Sequence, residues 1–167
     1  AWAYNERADA KYFIKDYQGA INDYDKSIDI YPKDANAYSD RGDAKLFLKD
    51  YLGAISDFNT SIEINDSSDT PYTTPYTGLA WAKYLTGDFK SAIIDSRKAL
   101  TFNSEDFSAL STLGFSQYEL GNKKDACANL KKAISIDKKI LDDYLEQNTQ
   151  EYLASKKGSW CRNMTSN

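Results

Sequence analysis

The chain has 167 residues, a formal net charge of −4 and 41% hydrophobic residues, which sets it at the size of one domain with an acidic balance. That balance excludes the broad basic face on which nucleic acid or an anionic membrane would dock, and no apolar run is long enough to cross a bilayer. Histidine is absent, so the commonest general base and the commonest transition-metal ligand are missing together. No catalytic residue, cofactor or metal site is expected.

The chain opens inside a helical pattern, which predicts that a segment precedes it. Tyr4, Ala8, Lys11 and Tyr12 fall at helical spacing until Lys15-Asp16 interrupts them, and Ala20, Ile21, Tyr24, Ser27 and Ile28 then form a second stripe. Asp16 is placed to cap that second helix, and Pro32 closes the unit. The same text returns without a gap over residues 35–68, through Tyr38, Arg41, Ala44, Lys45, Asp50, Tyr51, Gly53, Ala54, Ile55 and Asp57. A third copy over 73–106 keeps Tyr76, Ala80, Lys83, Asp88, Phe89, Ala92, Ile93, Asp95 and Ala99. A fourth over 107–140 keeps Leu110, Gly114, Tyr118, Gly121, Ala126, Leu130 and Ala133, with Asn122 as its cap. Repetition at this period predicts an all-α fold, an α-solenoid of helix-turn-helix hairpins whose function lies on a surface.

Four extra residues, around 69–72 within the stretch Ser67–Pro75, separate the second and third copies, and Thr74-Pro75 reads as a cap followed by a first-turn proline. Slack in a loop accounts for the insertion; a tyrosine-bearing protrusion at the groove edge is the functional reading. Beyond the fourth copy, Leu141, Tyr144, Leu145, Asn148 and Tyr152 predict a capping helix over 141–157, followed by a tail over 158–167.

Lys11, Lys45 and Lys83 recur opposite Asp23, Asp57 and Asp95, and in the fourth copy both members change together, to Gln117 and Asn129. That joint change predicts a structural pair linking the two helices of each hairpin, with Arg7 and Arg41 joining it. Cys127 stands where earlier copies have isoleucine and reads as a buried, inert thiol. Its alternative is a bond to Cys161 that staples the tail in an oxidising compartment; a cytoplasmic address is the expectation.

The order aromatic, small, aromatic, aromatic, alanine, aromatic, small, proline, seen at Tyr4, Ala8, Tyr12, Tyr17, Ala20, Tyr24, Ser27 and Pro32, resembles the tetratricopeptide repeat. Arg7 and Arg41 replace that family's leucine, Lys11, Lys45 and Lys83 an aromatic, and Asp66 and Ser104 the proline. The resemblance implies a right-handed tetratricopeptide-repeat superhelix whose first helices line a concave groove for peptides or partner proteins. The groove positions it implies include Asn5, Glu6, Asp9, Asn36, Ser39, Asp40 and Asp43 in one half, and Thr77, Trp81, Tyr84, Ser108, Thr112, Phe115 and Tyr118 in the other. One half is acidic and one aromatic, which suits a partner with basic and apolar groups. Family members that clamp the acidic C-termini of heat-shock chaperones need basic and amide groups where this chain has Asn5, Asp9, Asp40, Thr74 and Gly78, so it is not expected to be such a clamp. The function implied is a non-catalytic adaptor or scaffold. The alternative is a homo-oligomer formed through the first repeat (Trp2, Tyr4) and the C-terminal helix.

Overall fold

The structure is a computed structural model and describes residues 1–65, 74–136 and Cys161. These form α1 (Trp2–Phe13), α2 (Tyr17–Ile30), α3 (Ala35–Phe47), α4 (Tyr51–Asn65), α5 (Thr74–Leu85), α6 (Phe89–Phe102), α7 (Phe107–Glu119) and α8 (Lys123–Ile136). No strand occurs among the described residues.

Short polar side chains start the helices. Asp16, Asp50 and Asp88 accept the amide hydrogens of Gly19, Gly53 and Ser91, and Asn122 accepts that of Asp125. Asp34 and Asp106 cap α3 and α7 in the same way. The residue before each second-helix cap turns left-handed: Lys15 and Lys49 at φ of 66° and 64°, then Gly87 and Gly121 at 85° and 82°. Thr74 departs from expectation. It is the first residue of α5 rather than its cap, with Pro75 inside the first turn, where a missing amide hydrogen costs nothing.

Each helix packs on its neighbours in sequence, and α1, α3, α5 and α7 also touch one another in succession, whereas α2, α4, α6 and α8 make no such contacts. A stack whose first helices approach while its second helices spread must curve toward the first helices, which therefore line its concave side. Alanines at 8, 20, 44, 54, 80, 92, 99, 126 and 133 are fully buried and let the helices close up. Phe58 of α4 fills the space between α3 and α5, where a methyl on either Gly42 or Gly78 would collide with its ring. Tyr24 and Leu130 are buried at the matching position of other hairpins.

The expected cross-hairpin pairs are present. Lys11 meets Asp23 at 2.7 Å, Lys45 meets Asp57 at 2.8 Å and Lys83 meets Asp95 at 2.6 Å. The Asn129 amide donates to Gln117 Oε1 at 2.8 Å. Arg7 adds two hydrogen bonds to Asp23, and Arg41 adds two to Asp57 while reaching Asp25 of the preceding hairpin. The carboxyl of Asp23, held mainly by Arg7, lies well below the usual carboxylate range. That of Asp95, where Leu79 stands in place of the arginine, is instead raised by burial, which Lys83 only partly offsets.

Cys127 is not a free thiol as expected: it is bonded to Cys161, with Cα atoms 5.3 Å apart and both side chains buried. Repeat spacing could not anticipate the pairing because Cys161 lies outside the repeats. The insertion at 69–72, the capping helix at 141–157 and, Cys161 apart, the tail at 158–167 lie outside the described residues.

Candidate functional site

One register position runs along the concave side. It is held by Asp9 on α1, Asp43 on α3, Trp81 on α5 and Phe115 on α7, an acidic pair followed by an aromatic pair. The arrangement follows from the repeat itself, since each first helix presents the same turn to the groove.

At the acidic end, Asp9, Tyr12, Phe13, Tyr24, Asp40 and Asp43 line a cavity of about 240 Å³. The Tyr24 hydroxyl donates to Asp9 Oδ1 at 2.6 Å, and among the described residues no lysine or arginine forms an ion pair with any of the three carboxylates. Burial, reinforced by the negative charges of Asp9 and Asp34, pushes Asp40 up to about 6. Burial and the neighbouring Asp40 push Asp43 up to about 7. Tyr12 and Tyr24 are raised as well, first by burial and then by these carboxylates.

A stability consequence follows. A carboxyl raised in the fold keeps a proton that the unfolded chain has already lost, so its contribution is full below pH 4 and disappears as pH climbs through 7. Asp43→Asn is therefore expected to stabilise the chain by about 2 kcal/mol at pH 8 and by far less at pH 5. Urea unfolding of both proteins at the two pH values measures this; equal midpoints at pH 8 would refute it.

At the aromatic end, Trp81 stacks on Tyr84 with ring centroids 5.2 Å apart, and Phe115 stands 6.5 Å from Trp81 and 5.9 Å from Tyr84. Trp81 and Tyr84 are half-buried, whereas Phe115 is only 4% exposed and supports the two rings from behind. Two further groove positions are engaged within the chain. The Asn5 side chain donates to Asp34 at 2.8 Å and Thr77 to Asp106 at 3.4 Å, each tying a first helix to the cap of the next hairpin. Ser108 is half-buried, and its carbonyl accepts from Thr112.

The cavity brings Asp9, Asp40 and Asp43 together; Trp81, Tyr84 and Phe115 gather apart from it on α5 and α7. Tyr12, Phe13 and Tyr24 were not singled out by the sequence as site residues. The available signal was the hydroxyl of Tyr24, which Phe58 and Leu130 lack at the same register, in the hairpin that also has Asp9. Among the described residues there is no cluster of side chains fit to hold a metal ion, and no helix is long and apolar enough to cross a membrane.

The family pattern described as tetratricopeptide repeat matches residues 3–34 and 107–140. Among solved structures, MamA superposes with a TM-score of 0.70 at 20% identity, over 95% of this chain and 96% of that one. The first TPR domain of Spaghetti (RPAP3), bound to the HSP90 peptide SRMEEVD, gives 0.68 at 24% identity over 72% and 92%. YrrB, a TPR protein with an unusual peptide-binding site, gives 0.69 at 18% identity over 96% and 81%. Likeness at such identities is a likeness of fold. No curated protein matches the chain in sequence.

Proposed function

We propose that this chain, which carries the tetratricopeptide-repeat pattern over residues 3–34 and 107–140 and has the fold of tetratricopeptide-repeat structures, is a non-catalytic adaptor or scaffold whose concave groove holds an extended segment or helix of a partner protein. The observation that carries the reading is the groove column itself: Asp9 and Asp43 at one end, Trp81 backed by Phe115 at the other. Neighbours of this fold include a domain solved with a bound peptide and one with a peptide-binding site, which supports the same use here. The ligand class differs. An acidic peptide such as SRMEEVD would meet the carboxylates of Asp9, Asp40 and Asp43, so the partner suited to this groove brings basic groups to the acidic end and apolar side chains to the aromatic end.

Selection from a random peptide library is the test, with recovered peptides titrated against variants at physiological salt. Trp81→Ala is expected to weaken binding roughly thirty-fold, as for an aromatic anchor. Asp40→Ala should cost only about three-fold, because Asp9 and Asp43 remain to meet the same basic group. Equal losses, or none, would defeat the two-zone groove. Self-association is the second reading, favoured by Trp2, which is 75% exposed on α1; it would show as recovery of the chain's own segments in the same selection.

A further inference from the structure

Each fully buried aspartate among the described residues is matched by a cation. Asp23, Asp57 and Asp95 each hold a lysine within 2.8 Å, and the first two hold an arginine as well. The cavity between α1, α2 and α3 gathers three half-buried aspartates, Asp9, Asp40 and Asp43, that have none. Asp43 is the sharpest case, because among the described residues no donor is placed on its carboxylate. Three carboxylates left without a countercharge in one recess are costly to the fold on their own, and the natural relief is a cation from outside.

We propose that this recess is a proton-coupled socket for one lysine or arginine side chain of the partner, in which the docking cation takes the place of one proton. The inference rests on the groove reading above and adds its regulation. The walls fit the occupant, because the rings of Tyr12, Phe13 and Tyr24 offer apolar and π surface to the aliphatic stem and the cationic head. Tyr24 also holds Asp9 in place through its hydroxyl.

The surrounding charges leave the exchange to these groups. On α1, Arg7 and Lys11 are committed to Asp23, and on α3, Arg41 and Lys45 to Asp57. α2 brings Tyr17, Tyr24, Asp25, Asp29 and Lys26, the last lying over the Tyr4 ring, and Asp34 caps α3. α4 adds Asp50, Tyr51 and Glu63 behind α3, and α5 adds Lys83, which is paired with Asp95. No free cation faces the recess from any of these elements. Raised carboxyl groups at Asp40 and Asp43 agree with this geometry, and they titrate as a coupled pair. One proton leaves a carboxyl oxygen for solvent as the single ammonium or guanidinium takes its place, so charge balances.

The test uses the full chain and hexalysine amide as probe, with its fully acetylated counterpart as control. Carbon-13 NMR of the aspartate carboxyls follows Asp40 and Asp43 from pH 4 to 9, and calorimetry measures affinity at pH 5.5 and 7.5 at constant salt. The free chain should show both carboxyls titrating between pH 5.5 and 7.5. Hexalysine should lower the higher of those midpoints by about one pH unit and bind up to about ten-fold more tightly at the higher pH, one pH unit of linkage being a factor of ten. The acetylated peptide should do neither, and the double variant Asp40→Asn/Asp43→Asn, checked by circular dichroism, should lose the pH dependence. Hexalysine that binds equally at both pH values, or leaves the two midpoints unmoved, overturns the socket and leaves the groove standing. The groove itself falls by a separate result, library peptides indifferent to Trp81→Ala.

Discussion

Asp57→Asn should lower the thermal midpoint by roughly 8 °C, from a loss of about 3 kcal/mol spread over a chain of this length. Asp57 is 3% exposed and accepts from Arg41 at 2.7 and 2.8 Å while holding Lys45 at 2.8 Å. An amide keeps the shape but leaves two largely enclosed cations facing a neutral group, the expensive way to break a buried network. The chain contains its own rescue. In the last hairpin the same three positions are Leu113, Gln117 and Asn129, and the two amides bond at 2.8 Å. Transplanting that set as Arg41→Leu/Lys45→Gln/Asp57→Asn should recover most of the lost stability, because no charge is left uncompensated except Asp25, which is half-exposed. Scanning calorimetry of the three proteins decides it. A triple variant no more stable than Asp57→Asn would mean that the network's value lies in its shape and not in its charge balance.

The second large effect is expected on reduction. The Cys127–Cys161 bond spans 34 positions of sequence, and a loop of that size restricts the unfolded chain by about 4 kcal/mol. Treatment with a phosphine reductant should therefore lower the midpoint by roughly 10 °C, and the double variant Cys127→Ala/Cys161→Ala should match the reduced protein and no longer respond. Thiol labelling after denaturation without reductant should find no reactive sulfur. Two labelled cysteines in chain isolated under non-reducing conditions would contradict the bond.

What could be read from the sequence and what could not divide along a physical line. The period fixes which residues share a face, so the hairpins, the caps at Asp16, Asp50, Asp88 and Asn122 and the fold class follow from it. The Lys–Asp pairs follow too, because Gln117 and Asn129 change in concert. The cavity does not follow, since it is made by Tyr24 reaching from α2 toward Asp9 while α3 supplies Asp40 and Asp43 from the next hairpin. Register alone also misjudges exposure: Asp43 and Phe115 occupy the same turn of their helices, yet one is half-buried and the other almost wholly covered. The disulfide was open in the sequence because one of its ends falls outside every repeat.

The pattern of contacts has a consequence for how the chain comes apart. Since every helix among the described residues touches only near neighbours along the sequence, the molecule behaves like a zipper, in which one hairpin can open at the cost of its own packing and that of the hairpins beside it. A covalent clasp restrains α8. Asp9, Tyr12 and Tyr24 belong to the first hairpin, so a partner that docks a cation there would act as a second, reversible clasp.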